Sequence, residues 1–200
     1  MKTKSSILRK KISFCVAIFA CIFTLQGCIF VVGAAAGAAA IAIVYDHRTI
    51  ENTLQDTKIT NQIVSKLRQV PALHNESHIE VTVFNQVVLL TGETPNPDWR
   101  DQAEAITKSV SGVSKIYNQI TIDGPTSSLT RTSDSWITTK IKGQMLATEN
   151  LKSSSIKVIT DNGVVYLMGS VSREQATIAT DLASQISGVR KVVKIFQYTN

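Results

Sequence analysis

Apolar and polar positions follow one pattern along the chain, and that pattern occurs twice. Each time, a helical apolar repeat is followed by two strand-like segments, a second helical repeat and a last strand, which predicts the order α-β-β-α-β. The copies correspond at offsets of 78, 77 and 76 residues; for example, Ser111-Gly112-Val113 returns as Ser187-Gly188-Val189. Shrinking offsets are typical of duplication followed by small deletions. The sequence therefore predicts two tandem domains that can be compared with each other.

In the first copy, Asp56 or Thr57 is placed to cap the first helix, and Asn85-Gln86 turns between two strands. Trp99 opens the apolar stripe of the second helix, which indicates a structural role for its side chain. The predicted elements are a helix over 59–70, strands over 79–83 and 87–90, a helix over 98–110 and a strand over 114–122.

The second copy predicts the same elements with clearer boundary signals. Asp134 is placed to cap its first helix, Asn162-Gly163 is a strong hairpin signal, and Ser172 begins a capping box. The predicted elements are a helix over 134–145, strands over 156–160 and 164–168, a helix over 173–186 and a strand over 189–198. We assign residues 46–123 to the first domain, 124–133 to a linker and 134–200 to the second domain. The predicted class is α+β, with a three-stranded mixed sheet packed on two helices in each copy.

Residues 1–27 resemble the signal peptide of a bacterial lipoprotein. A basic start is followed by an apolar run over 12–25 that is short for a membrane-spanning helix. The run ends in Leu25-Gln26-Gly27-Cys28, which resembles a lipobox and implies lipidation of Cys28 and cleavage before it. The alternative is an uncleaved N-terminal anchor helix.

Residues 28–45 are predicted to be the lipidated cysteine and an Ala/Gly-rich membrane-proximal tether. The alternative is a second membrane span, because the uncharged stretch has the minimum length for one. The residue after this cysteine is Ile29, not aspartate. By resemblance to enterobacterial lipoproteins, the absence of aspartate at this position implies sorting to the outer membrane, facing the periplasm.

The net charge of +6 comes largely from the predicted signal peptide. Five of the 21 basic residues precede Cys28, so the mature chain has 16 basic and 15 acidic residues, and it lacks the strongly basic domain typical of nucleic-acid binding. Residues 46–123 carry a net charge of −3 and residues 134–200 carry +3. The second domain is therefore the better candidate for contact with an anionic surface.

The two copies together resemble BON domains. The resemblance rests on the order of the elements, the hairpin over 163–169, the motif Ser187-Gly188-Val189 and the segment over 134–140. The first copy departs at Asn85-Gln86, where the hairpin glycine is missing. Two such domains behind a lipobox resemble the dual-BON outer-membrane lipoproteins of Gram-negative bacteria. That resemblance implies phospholipid binding without catalysis, a role in envelope integrity, and localisation at division sites.

The residue patterns give no support to an enzyme or a metal site. His74 and His78 have the spacing of two ligands on a helix, but a proline precedes them and a strand follows. No nucleophile elbow or phosphate-binding loop is present in the sequence. We predict no catalytic residue, no metal and no cofactor.

A comparison of the first helices points to a phospholipid-binding site in the second domain. At an offset of 78, the polar set Lys58, Gln62, Ser65, Arg68 and Gln69 is replaced by Trp136, Lys140, Gly143, Leu146 and Ala147. Tryptophan beside lysine suits a membrane interface, because the indole lies among headgroups while the ammonium meets phosphate. With the neighbouring Lys142, these second-copy residues form the predicted site. The resemblance implies phosphatidylglycerol or cardiolipin as the target.

Two alternatives stay open at this point. In one of them, Trp136 packs against the first domain or the linker and plugs the seam between the domains. Independently of Trp136, Lys140 and Lys142 could belong to an ordinary solvated face. In the other, the same surface docks a partner from the outer-membrane assembly machinery or a cell-wall factor. The protein would then be an interaction scaffold.

Overall fold

The computed structural model of the chain describes residues 50–124 and 126–199, with only the backbone described for Ile50. The predicted signal peptide, Cys28 and the tether up to residue 45 lie outside these residues. Within the described part, no helix is both long and apolar enough to cross a membrane. Both copies of the repeat lie in one compact unit.

The first copy has the predicted order, with one short helix added and the last strand interrupted. Its elements are α1 (Ile50–Arg68), α2 (Pro71–Asn75), β1 (His78–Phe84), β2 (Val87–Thr94), α3 (Pro97–Lys108), β3 (Lys115–Asn118) and β4 (Thr121–Ile122). β1 pairs antiparallel with β2, and β3 and β4 both pair parallel with β2. The prediction of one continuous strand over 114–122 is wrong. The strand is interrupted between Asn118 and Thr121, where the Ile120 backbone N–H donates to the side-chain oxygen of Asn118 at 3.2 Å.

The second copy has the predicted elements, but its first helix begins earlier. Its elements are α4 (Ser128–Ala147), a 3-10 turn (Ser153–Ser155), β5 (Ile156–Asp161), β6 (Val164–Val171), α5 (Arg173–Ser184) and β7 (Lys191–Tyr198). β5 pairs antiparallel and β7 parallel with the central β6. The Ser127 hydroxyl caps α4 by accepting from the Thr130 backbone N–H, so much of the predicted linker is helical. The mixed α+β class with one mixed sheet per copy is confirmed.

Asp56 and Asp134 were predicted as helix caps, and this prediction is wrong. Both carboxylates are buried within their helices, and each accepts two backbone hydrogen bonds from the turn of its own hairpin. Asp134 accepts from the N–H groups of Asn162 and Gly163, both at 2.8 Å. Asp56 accepts from Asn85 at 2.8 Å and from Gln86 at 2.9 Å. Each aspartate therefore ties the first helix of its copy to the hairpin beneath it.

These hydrogen bonds also hold a strained turn in the first copy. Gln86 has a φ of 65°, close to the 70° of Gly163 at the equivalent position. A left-handed backbone costs a residue with a Cβ about 1–2 kcal/mol, whereas glycine adopts it freely. The two hydrogen bonds that Asp56 accepts from this turn offset this cost. Gln86 can therefore replace the hairpin glycine without a change in the turn.

The central strand of each sheet is buried on both faces. In β2, Val88 and Leu90 face the helices of their own copy, while Val87 and Leu89 face the second copy. β6 divides its side chains in the same way, and the two sheets pack face to face. The seam between them contains Phe84, Val87, Leu89, Tyr166, Met168 and Ile195. The continuous apolar runs of the central strands follow from this two-sided burial.

Loss of an aspartate bridge should destabilise the fold. We expect Asp134→Ala to lower the free energy of unfolding by roughly 2–4 kcal/mol, because the buried Gly163 N–H and the partly buried Asn162 N–H both lose their carboxylate acceptor. Asp56→Ala should have a similar effect. Urea denaturation followed by circular dichroism measures both.

The matched control is Asp181→Ala, which removes an exposed carboxylate from α5 and should change stability by less than about 0.5 kcal/mol. An Asp134→Ala protein as stable as this control would contradict the assigned role of the bridge.

Candidate functional site

The outer face of α4 exposes large apolar side chains. Leu129 is 82% exposed, Trp136 51% and Leu146 79%. These three are half of the six large apolar side chains that are exposed in the described part of the chain. The concentration of apolar surface on one helix marks this face as a candidate for an interaction.

Helical geometry brings most of the predicted site residues into one stripe. Each residue turns the helix by about 100°, so positions seven apart lie within about 20° of each other. Leu129, Trp136 and Gly143 have this spacing, and Lys140 and Ala147 fall on the same stripe. The stripe lies opposite the buried residues Ile137, Ile141 and Met145.

The predicted pairing of tryptophan with lysine is present in the structure. The Lys140 Nζ lies 5.5 Å from the centroid of the Trp136 ring, within the range of a cation–π interaction. The seam between the sheets is filled by other side chains, and the indole is half exposed. Trp136 is therefore not among the side chains that fill the seam.

Lys142 and Leu146 flank the stripe on one side and are also exposed. Lys142 lies about 120° from Trp136 around the helix, and Leu146 about 80° on the same side. The exposed charged residues of α4 are Arg131, Lys140 and Lys142, all basic. Asp134, the acidic residue of the helix, is buried and bound to the hairpin. The solvent side of α4 therefore combines apolar projections with positive charge only.

In the first copy, the positions of α1 that match the predicted site are polar, and the exposed apolar residue on that face is Leu54 at a different position. The residues of α1 at the matching positions are Glu51, Lys58, Gln62, Ser65, Arg68 and Gln69, and all are exposed. The same helix position in the same fold thus tolerates solvated side chains. Packing within the domain does not require the apolar residues of α4.

Leu129 belongs to this face but was not predicted. It lies in the segment that the sequence assigns to the linker, because the sequence predicts Asp134 at the start of the helix. The available signal was the spacing of seven residues between Leu129 and Trp136, which continues the stripe by two turns.

The remaining candidates lie elsewhere. Trp99 packs against the core of the first copy, as predicted. His74 is exposed on α2, and the His78 Nε2 at the start of β1 lies 3.5 Å from the Glu80 Oε1. No group of three or more His, Cys, Asp or Glu side chains in residues 50–124 and 126–199 is arranged to hold a metal ion.

The family model of the BON domain matches this chain twice, over residues 55–124 and 133–200. The chain belongs to the BON-domain family. Its two BON domains coincide with the two copies of the repeat, and the resemblance seen in the sequence is confirmed.

Related proteins place this chain among dual-BON outer-membrane lipoproteins. It is 37% identical to the outer membrane lipoprotein DolP of Haemophilus influenzae, over 87% of this chain and 90% of that protein. It is 34% identical to the 21 kDa hemolysin of Actinobacillus pleuropneumoniae, over 76% of this chain and 79% of that protein. The osmotically-inducible protein Y of Escherichia coli is 28% identical, with 72% of both chains covered.

Substitution of Gly143 tests whether the outer face of α4 is free of contacts with the rest of the chain. An added Cβ would meet no atom within 4 Å, and glycine inside a helix costs about 1 kcal/mol relative to alanine. We expect Gly143→Ala to raise the free energy of unfolding by up to about 1 kcal/mol, as measured by chemical denaturation.

Gly169→Ala is the contrasting variant, since its Cβ would lie 2.5 Å from the Ser155 carbonyl oxygen. That substitution should destabilise the protein. Destabilisation by Gly143→Ala would mean that the α4 face is packed against another part of the chain.

Proposed function

We propose that this protein is anchored by lipid at Cys28 to the outer membrane, faces the periplasm, and binds anionic phospholipid through the outer face of α4. The observation that carries the proposal is the exposure of Leu129, Trp136 and Leu146 on a helix whose exposed charges are all basic. The residues of the proposed phospholipid site are Trp136, Lys140, Lys142, Gly143, Leu146 and Ala147, with Leu129 added.

The physical basis is that two weak attractions act on the same face. Transfer of an exposed leucine side chain out of water contributes about 2 kcal/mol, and the two leucines flank the indole along α4. An indole is favoured at the headgroup level, where it keeps one polar edge hydrated. Lys140 and Lys142 each add on the order of 1 kcal/mol near an anionic membrane.

The small residues of the stripe support this arrangement. Gly143 and Ala147 follow Trp136 along α4 and project little from the helix. The larger side chains therefore stand above their surroundings and can enter a lipid surface first. In the first copy, Ser65 and Gln69 occupy these positions beside polar neighbours.

Anchoring makes a weak site sufficient. A domain tethered to a membrane meets lipid at a high effective concentration, so its second contact needs little affinity of its own. Phosphatidylglycerol and cardiolipin are the proposed targets because they are anionic and residues 134–200 carry a net charge of +3. Through this contact the protein would support envelope integrity and concentrate at division sites.

Vesicle binding by residues 46–200 tests the lipid site. The chain has two tryptophans, so a Trp99→Phe background makes Trp136 the only reporter. With phosphatidylglycerol or cardiolipin vesicles we expect the Trp136 emission to shift to the blue, and with phosphatidylcholine vesicles we expect no shift. Trp136→Ala in the native background should weaken co-sedimentation at least tenfold, because the largest apolar anchor is lost.

Charge is tested by Lys140→Glu against the matched control Lys108→Glu, which makes the same change on an exposed position of the first domain. Lys140→Glu should weaken binding about tenfold, and the control should have little effect. If binding is absent, or if neither Trp136→Ala nor Lys140→Glu weakens it, the site is wrong. Retained binding to a protein partner without lipid binding would favour a scaffold.

The lipid anchor has its own test in the full-length protein. Cys28→Ala should remain at precursor size and incorporate no labelled palmitate, because the acceptor thiol is lost. Cys21→Ala is the control and should be processed normally. Processing and acylation of Cys28→Ala would show that Cys28 is not the attachment site.

A further inference from the structure

A cleft of about 480 Å³ lies at one edge of the seam between the two sheets, between the first copy and α4 with β5. Three carboxylates of this cleft, those of Glu80, Glu93 and Asp161, are the basis of the inference. His78 and Arg131 also line it, and hydroxyl groups of α4 and β5 complete much of the remaining wall. The stripe through Trp136 does not contribute to this lining.

Glu93 is a buried carboxylate with one unused oxygen. The residue is 3% exposed, and its Oε2 has no hydrogen-bond partner among the described residues. Burial raises the pKa of the Glu93 carboxyl, despite a hydrogen bond from the Thr126 backbone N–H and attraction to His78 and Arg131. An ionised carboxylate in this position is unfavourable unless a donor or a cation meets it.

Asp161 adds a second carboxylate to the same space. Its Oδ2 accepts from the Gly92 N–H at 2.8 Å, which links the two copies at the cleft. Burial again raises the pKa of its carboxyl, and repulsion from Asp134 and Glu80 adds to the rise. Four acidic residues, Glu80, Glu93, Asp134 and Asp161, line the cleft against Arg131 and His78, so acidic side chains outnumber basic ones there.

The fold does not require these acids, as the duplicated half shows. At an offset of 77 residues, Glu80 corresponds to Lys157, Glu93 to Ser170 and Asp161 to Phe84. At the equivalent edge of the seam, the Lys157 ammonium donates to the Val83 carbonyl oxygen at 3.3 Å. One edge of the interface is therefore closed by the chain's own ammonium group, whereas the other presents carboxylates to a cleft.

We propose that this cleft binds a small organic cation whose ammonium group donates a hydrogen bond to Glu93 Oε2. Asp161 and Glu80 supply further negative charge. A bare metal ion does not fit, since no group of three or more ligating side chains in the described residues is arranged to hold one. The cleft volume also exceeds that of a single ion.

The hydroxyl groups suit the rest of such a ligand. The Thr138 and Thr160 hydroxyls lie 2.7 Å apart and join α4 to β5 across the cleft wall. Each hydroxyl can both donate and accept, so hydroxyl or further amine groups on the ligand would find partners there. The ligand class is thus a polar aliphatic amine rather than an apolar one.

Calorimetric titration of the full-length protein in a non-ionic detergent, at fixed ionic strength, tests the proposal. The probes are putrescine, which carries two ammonium groups, and N-acetyl-lysine amide, which presents a lysine side chain. We expect saturable binding of at least one of them, weakened about tenfold or more by Glu93→Gln because a charged hydrogen bond is lost. Comparison of the two separates a free amine from a lysine side chain of a partner.

Three controls limit the interpretation. 1,4-butanediol matches putrescine in length without charge and should not bind. Glu174→Gln removes an exposed carboxylate from α5 and should leave putrescine binding unchanged. Glu93→Gln should melt no lower than the native protein, since it removes a carboxyl whose ionised form is disfavoured by burial. The proposal would be overturned if the diol bound as well as putrescine or if both variants lost binding equally. It would also be overturned if Glu93→Gln bound undiminished or if neither amine bound.

The pH dependence supplies a further check with a defined sign. Amine binding needs ionised Glu93, and a raised pKa means that this carboxyl takes up its proton at a higher pH than an ordinary glutamate. Affinity should therefore fall as the pH decreases through that raised pKa, while the amine stays charged. An affinity that rises towards acidic pH would contradict the role of Glu93.

Discussion

Burial of both faces of β2 and β6 is the constraint on which the rest of this structure depends. One face of each central strand completes the core under its own helices, and the other completes the seam between the sheets. A single copy would leave Leu89 or Met168 in water, and a small domain has little stability to spare for that. The two BON domains thus form one compact unit that shares an apolar seam.

This arrangement determines which surfaces are free to change. The buried aspartate that ties each first helix to its hairpin is present in both copies, as Asp56 and Asp134. The outer positions of those helices make no such bonds, and the copies differ there, for example Lys58 in the first copy against Trp136 in the second. A duplicated fold can therefore keep its internal bonds while one copy acquires a new surface.

Periodicity and internal comparison predicted the fold class, the element order and the exposed set around Trp136 from the sequence. They failed where a residue's partner is distant in the chain. Aspartate is a residue type typical of helix caps, but the partners of Asp134 are 28 and 29 residues away. With the helix predicted to start at Asp134, Leu129 fell in the predicted linker. The cleft at Glu93 was also missed, because its acids come from two copies and converge only after the sheets pack.

The outer stripe through Leu129, Trp136 and Lys140 and the acidic cleft lie on different sides of α4. Leu129 and Trp136 define the outer stripe, whereas Ser135 and Thr138 of the same helix line the acidic cleft. From the helical rotation of about 100° per residue, the cleft positions are centred about 130° from the stripe. A membrane held against the stripe would therefore leave the cleft open at the side and turn its carboxylates away from anionic headgroups. Lys142 and Leu146 of the proposed phospholipid site lie on the cleft side of the stripe but further along α4 than the cleft residues. Contact through them would bring headgroups nearer to the carboxylates, whose repulsion would oppose it.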